Sequence, residues 1–330
     1  MKKTFVIAAL AVAAISCSKE LPTHSVSTQN VESNLPASLT VSIESPLSKA
    51  TVADTADEAK VNTLEVFVFK ADGEGTILDA YGSSTSTSVT LSASIGQRTV
   101  WAVVNADSGL NLSSVKTENE LKAKVSELAN NSSSSFVMTG SKAVTLNTTN
   151  SVSVPVERIA ARIIVKKVTF SLPAAFDGVS KSVNRVYLTH VAGKCTIGGT
   201  APATQTWFAT STLGENGGQK NLILQSWNET NGVSLYCYPN SSETRTKIVV
   251  EVVIDSKTYT YPIGLVEGVA SNTSYEIRDL VITRPGNPSN GDDTIDNGED
   301  DIVSTKYATF SLDVKDWNLV LLGSSGTVTL

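Results

Sequence analysis

Thr63-Leu64-Glu65-Val66-Phe67-Val68-Phe69-Lys70 is the stretch that decides the fold class. β-branched and aromatic residues fill it, and the Asp72-Gly73 pair that follows is a turn signal, so it reads as a strand. Upstream, Leu39, Val41 and Ile43 alternate with Ser38, Thr40, Ser42 and Glu44, the period of a strand with one buried face. Between the two, Ser45-Pro46-Leu47-Ser48-Lys49-Ala50 and the Asp- and Ala-containing sequence up to Lys60 break the pattern and read as exposed chain.

Downstream, Val89–Leu91 and Thr99–Val104 continue the strand pattern. One helix is expected, opened by a capping box of Thr117 and Glu120, with Leu121, Val125 and Leu128 on one face. Further strands are expected over Phe136–Met138, Ala143–Leu146, Val152–Val156, Ile159–Phe170, Asn184–Thr189, Asn221–Gln225, Val233–Tyr238, Lys247–Ile254, Lys257–Ile263, Ser274–Thr283 and Tyr307–Val314. Short spacing between turns gives a mostly antiparallel, sandwich-like β architecture. A boundary near Pro155 to Arg158 divides it into an N-terminal unit (50–156) and a C-terminal unit (157–330).

The chain has 330 residues, room for two ordinary domains, and a net charge of −6 without a basic stripe, which argues against nucleic acid as a partner. The two histidines, His24 and His190, stand far apart without acids or cysteines at ligand spacing, so neither a metal site nor a Ser-His or Cys-His engine is expected. No cofactor is implied. Asp292, Asp293, Asp296 and Glu299-Asp300-Asp301 form an acidic loop, but Ile295 occupies a position where a calcium loop needs oxygen. Trp101, Trp207, Trp227 and Trp317 are scattered and are read as packing residues. Glu251 and Asp255, the acids an enzyme reading would pair, are expected to be solvent-facing charges.

The N-terminus carries a targeting signal. Lys2 and Lys3 precede an apolar run from Phe5 to Ile15, closed by Ala14-Ile15-Ser16-Cys17. That run is too short for a membrane span and fits a lipoprotein signal (1–17), with Cys17 lipidated at the start of the mature chain. Residues 18–36, rich in Ser, Thr, Asn and Pro, read as a tether. Cys195 and Cys237 remain; in an oxidising envelope they either pair as a disulfide or stay as buried thiols.

Several segments together resemble the fimbrillins of Bacteroidales, major subunits of lipoprotein-derived (type V) fimbriae. They are Val61 to Phe69 with Asp72-Gly73, Gly96-Gln97-Arg98-Thr99-Val100-Trp101-Ala102-Val103-Val104-Asn105, Met138-Thr139-Gly140, Val156-Glu157-Arg158-Ile159-Ala160-Ala161-Arg162-Ile163, Asn272-Thr273-Ser274-Tyr275-Glu276-Ile277 and Val314-Lys315-Asp316-Trp317. The resemblance implies two transthyretin-like β-sandwich domains, export to the cell outer membrane, and proteolysis that removes an N-terminal strand. It also implies that the C-terminal strand of another subunit then fills the vacated groove, head-to-tail.

On this sequence the removable strand is Leu39, Val41 and Ile43, within a propeptide of residues 18–49, and cleavage is expected between Lys49 and Ala50. The family's usual cleavage residue is Arg, and none occurs before Arg98; Lys60 is the less accessible alternative. The donor strand is read as Val320, Leu322, Val328 and Leu330, which share one parity. Four such residues contribute on the order of 6–12 kcal/mol before entropy losses. The expected role is a structural fimbrial subunit, with partners that are copies of itself or related subunits, and a host or bacterial surface as a further ligand. A tip or anchor subunit, or a glycan-binding surface lipoprotein, are the competing readings.

Overall fold

The computed structural model describes residues 35–44, 57–71, 76–208, 222–241, 246–265, 268–288 and 308–316. In the N-terminal half the strands are β1 (Pro36–Glu44), β2 (Leu64–Lys70), β3 (Leu78–Ser84), β4 (Ser88–Ser94), β5 (Gly96–Val104), β6 (Val125–Glu127), β7 (Met138–Leu146), β8 (Thr149–Pro155) and β9 (Glu157–Arg158), with helix α1 (Glu118–Ala123) before β6. Two sheets form from them: a three-stranded sheet ordered β4-β1-β8 and a five-stranded sheet ordered β3-β2-β5-β7-β9.

Alternation explains why the five-stranded sheet is a middle layer. Leu64, Val66 and Val68 of β2, with Val100, Ala102 and Val104 of β5, face the three-stranded sheet. Phe67, Phe69, Trp101 and Val103, one residue out of phase, join a second cluster shared with the C-terminal half. A strand buried on both faces must be apolar at nearly every position, which is why the quoted stretch reads so strongly.

In the C-terminal half lie β10 (Ala161–Val165), β11 (Val168–Phe170), β12 (Lys181–Thr189), β13 (Val191–Ala192), β14 (Lys194–Thr196), β15 (Trp207–Phe208), β16 (Leu224–Ser226), β17 (Val233–Cys237), β18 (Lys247–Ile254), β19 (Lys257–Gly264), β20 (Thr273–Ile282), β21 (Asn287–Pro288) and β22 (Ala308–Asp316). One sheet runs β11-β20-β10-β17 with β22 also on β20; the other runs β16-β12-β18-β19-β21. The mostly β fold class expected from the sequence holds. Pairing is antiparallel except for β1–β8, β10–β20 and β11–β20.

Three local expectations change. The capping box forms as read, Thr117 accepting from Glu120 N and Glu120 reaching back to Thr117 N, but the helix stops at Ala123. Val125 lies instead on β6, drawn into an antiparallel ladder with β14 across the two halves (Val125↔Thr196, Ser126↔Cys195, Glu127↔Lys194). The expected strand 159–170 is divided into β10 and β11, both paired with β20. Glu251 is 3 % exposed rather than solvent-facing, because it sits opposite Arg185 in the β12–β18 ladder and accepts from Arg185 Nη2 at 2.8 Å.

A charged cluster joins the halves. Glu58 lies in the stretch expected to be exposed, yet it is 1 % exposed, beside Arg158, Arg162 and Tyr236 at 1, 2 and 5 %. Its carboxylate accepts from Arg162 Nη1 at 2.8 Å and from the Tyr236 hydroxyl, and its backbone carbonyl accepts from Arg158 Nε at 3.0 Å. Burial, then the Glu58 charge, push the Tyr236 hydroxyl far above the ordinary tyrosine range, so it remains a proton donor. Tyr238 adds a second tie, its hydroxyl 2.8 Å from Ser126 Oγ and accepting from Asn131 Nδ2 at 2.8 Å.

Removing one member of a buried ion pair leaves the other uncompensated. Glu58→Ala is therefore expected to lower stability by about 3–5 kcal/mol in denaturant unfolding. A loss below about 1 kcal/mol would show that the cluster is dispensable.

Candidate strand-acceptor site

The three-stranded sheet places β1 between two neighbours of opposite sense. Pro36 to Ser42 pair antiparallel with Ser94 to Ser88 of β4, and Ser38 to Glu44 pair parallel with Thr149 to Pro155 of β8. Beyond the ladders, Ser38 N donates to Thr148 O at 2.9 Å, Ile43 N to Thr87 O at 3.1 Å, and Ile95 N to Leu35 O at 2.9 Å. No other described strand joins β4 to β8.

Alternation then sorts β1's side chains. Ala37, Leu39, Val41 and Ile43 point into the core at 1, 0, 0 and 8 % exposure, packing over Leu64, Val66, Val100, Ala102 and Met138. Burying the three larger ones contributes on the order of 5–9 kcal/mol. Outward, Ser38, Thr40 and Ser42 fall in register with Ser92, Thr90 and Ser88 on one side and Thr149, Ser151 and Ser153 on the other. The outer surface is thus a ruled field of hydroxyls, with Thr40 and Thr90 Oγ1 atoms 3.1 Å apart.

The groove walls are anchored independently of β1. Ser94, the last residue of β4, donates from N and Oγ to the Asp79 carboxylate at 2.8 and 2.6 Å. Arg98 of β5 donates from Nε to the same carboxylate at 2.8 Å and from Nη2 to Ser94 Oγ at 2.8 Å. Burial alone raises the Asp79 pKa, but the Ser94 bonds, then the Arg98 bond and charge, outweigh it and hold it below the usual range. On the β8 side, Gly140 of β7 is a crossing point: a Cβ there would lie 1.8 Å from the Pro155 carbonyl oxygen. Asn105, in left-handed conformation (φ 57°), accepts from Asn62 N at 2.7 Å and donates to Lys60 O at 2.8 Å, fixing the approach to β2.

Leu39, Val41 and Ile43 are therefore together on one buried strand. Cys17, Lys49, Ala50, Val320, Leu322, Val328, Leu330, Trp317 and the acidic loop lie outside the described residues. Cys195 and Cys237 are both buried free thiols, the unpaired alternative. Cys195 Sγ is turned toward the Thr196 and Thr200 carbonyls at 3.5 and 3.8 Å, and burial pushes both thiols up to about 12. Sequence reading missed Glu58, Asp79 and the structural part played by Arg98. A lone arginine inside the otherwise apolar β5 was the available signal.

The family model of the major fimbrial subunit protein (FimA) matches residues 37–184, starting inside β1. Residues 37–184 are thus similar to the major fimbrial subunit family. A fimbrilin from Porphyromonas gingivalis W83 has a similar fold, with a TM-score of 0.60 at 15% identity, covering 87% of this chain and 99% of that one. A candidate cell adhesion protein of Bacteroides eggerthii gives 0.64 at 18% identity, covering 85% and 96%. The tip fimbrial protein Mfa3 of Porphyromonas gingivalis, truncated at its C-terminus, gives 0.54 at 12% identity, covering 86% and 100%. No curated protein matches the chain. The match to the major fimbrial subunit model supports a structural part in a cell-surface fimbrium, alongside related subunits, rather than an enzyme.

Asp79 is depressed in the folded state, so its contribution is present above the ordinary aspartate range (about 3.9) and is lost as pH falls through the lower folded value. Asp79→Asn is expected to cost about 1–3 kcal/mol at neutral pH and to flatten the fall in stability between neutral and acidic pH. Denaturant midpoints measured across that range check it, and an unchanged pH response would remove Asp79 from the account.

Proposed function

We propose that this chain is a polymerising stalk subunit, exported as a lipoprotein through Cys17 and activated by cleavage between Lys49 and Ala50. β1 then leaves with the propeptide. The segment bearing Val320, Leu322, Val328 and Leu330 of another copy takes its place. The observation that carries the reading is β1's position: a short, sequence-local strand occupies the middle of a sheet and fills an apolar groove whose walls are anchored without it.

Two further features support it. The segment after Asp316 follows β22, which pairs with β20 in the C-terminal half, whereas the groove belongs to the N-terminal half. Donor and acceptor on different patches give a head-to-tail contact that propagates as a filament. The open groove is an unpaired edge, so retention of β1 until export protects the precursor from aggregation.

The choice of Lys49 over Lys60 has a structural reason. Lys60 is exposed, but its N–H donates to Asp57 O at 3.1 Å and its carbonyl accepts from Asn105. A cut there would also discard Glu58 and leave Arg162 buried without that carboxylate. A glycan-binding role gains no support: Trp101 is buried against Glu118, and Trp207 alone among the described tryptophans is exposed.

Treatment of folded precursor with a trypsin-like protease is expected to yield a product starting at Ala50, read by N-terminal sequencing. Lys49→Ala should block that product. Deleting Gly323–Leu330 should leave a folded monomer that does not extend filaments under electron microscopy; filaments from the deletion variant would reject the donor assignment. Cys17→Ala should abolish lipidation and surface delivery.

A further inference from the structure

The two halves repeat one topology. In the N-terminal half β1 lies between β4, antiparallel, and β8, parallel; in the C-terminal half β10 lies between β17, antiparallel, and β20, parallel. The opposite sheets match as well, β3-β2-β5-β7 against β16-β12-β18-β19, antiparallel throughout and in the same chain order. A difference falls at one edge. β20 carries β22 on the side away from β10, whereas no described strand pairs with β8 on the side away from β1.

The main chain of that edge is presented for pairing. Ser38 N donates to Thr148 O, so in the parallel ladder Asn150, Val152 and Val154 turn their main-chain groups to β1, and Thr149, Ser151 and Ser153 turn theirs outward. Lys142 Nζ donates to the Ser153 carbonyl at 3.0 Å, on the outward side. Thr149-Asn150-Ser151-Val152-Ser153-Val154 holds no charge, no proline and no bulge, the devices that blunt an edge. Pro155, without an N–H, closes the run.

We infer that β8 is a contact between copies of this chain, pairing antiparallel with β8 of a second copy about a two-fold axis at Ser151. In that register Ser151 faces the other copy's Ser151 and Thr149 faces the other copy's Ser153, each pair exchanging both main-chain bonds. The three-stranded sheets of the two copies become one. Charge selects this occupant. A chain with a net charge of −6 repels its own copy, and an uncharged strip lets two copies meet without setting like charges together. Hydroxyls both donate and accept, so the strip is complementary to itself. β22, the strand that the C-terminal half sets in this place, is engaged on β20.

Area limits the strength. A seam one strand wide covers far less than the roughly 800 Å² per partner of a stable complex, so single subunits meet and part. Lys142 weakens the seam further, since its ammonium already occupies the Ser153 carbonyl. Along a fibre joined as proposed above the seam recurs at every subunit, and repetition turns a transient contact into lateral bundling of fibres. That last step alone rests on the strand-donation reading; β8 itself stays in the chain whether or not β1 is removed.

Cysteine pairing on the uncut precursor reads the seam without any cleavage. Full-length chains carry Cys17→Ala, which leaves the buried Cys195 and Cys237 as the native thiols, together with one new cysteine, and are oxidised mildly. Opposed positions in such a ladder lie about 5.5 Å apart, within disulfide reach. Ser151→Cys alone is expected to give a dimer band on non-reducing gels, ahead of Ser88→Cys, which is also exposed. Thr149→Cys and Ser153→Cys are expected to cross-link when mixed and not when alone, because like positions lie about 13 Å apart. Thr149→Cys dimers formed alone would overturn the register, and Ser151→Cys no faster than Ser88→Cys would overturn the seam. Lys142→Ala is expected to speed the Ser151→Cys dimer at least about threefold; a slower dimer would overturn its guarding part. Ser151→Lys filaments are expected to lie singly under electron microscopy where parent filaments bundle. Bundles that persist in Ser151→Lys, or parent filaments that never bundle, would overturn the lateral contact and leave strand donation standing.

Discussion

A strand in the middle of a sheet holds two neighbours, and its loss leaves two unsatisfied edges. β1 is such a strand, and the remainder of the N-terminal half is built around that fact. β4 is fastened at Ser94 to Asp79 and Arg98, and β8 is held close to β7 where Gly140 makes way for the Pro155 carbonyl. Each wall has its own attachment to the five-stranded sheet, so the groove keeps its shape as a function of the walls rather than of the filler. An acceptor site has to satisfy that condition: a groove that collapsed on losing its occupant would have nothing to offer a second one.

The junction between the halves uses a different kind of interaction. Apolar packing is continuous there, with Phe136 and Tyr236 rings 4.7 Å apart, but position is set by charge. Glu58, Arg158 and Arg162 are each nearly inaccessible to solvent, and such groups are tolerated only in one mutual arrangement. The β6–β14 ladder and the Tyr238 hydroxyl fix a second point on the same junction. Two separated points of fixation remove the freedom to hinge that apolar contact alone would leave.

What was legible in the sequence followed from burial on one or both faces. β2 and β5, buried on both, were plain; β1, buried on one, showed clean alternation; the capping box was read correctly from Thr117 and Glu120. β3 was not seen, because Leu78-Asp79-Ala80-Tyr81-Gly82-Ser83-Ser84 carries little apolar content and owes its strand form to pairing with β2. β7 was read as two pieces for a similar reason: Gly140, Ser141 and Lys142 have weak strand preference, and nine residues of pairing with β5 impose it. The helix was drawn too long since Val125 and Leu128 kept a helical spacing that the β14 partner overrode. The Glu58 cluster could not be read at all, as Glu58 lies about a hundred residues or more from Arg158, Arg162 and Tyr236 and meets them only through topology.

The β6–β14 ladder bears on mechanics. In a fibre joined as proposed, a pull at its ends would load each subunit between the acceptor sheet and the segment following β22, so tension would cross the junction in every link of the chain. Side by side, the ladder, the buried charges and the aromatic contact would share that load, and rupture would require them to yield together. The subunit's interior is thereby reinforced where a two-lobed body would otherwise stretch first.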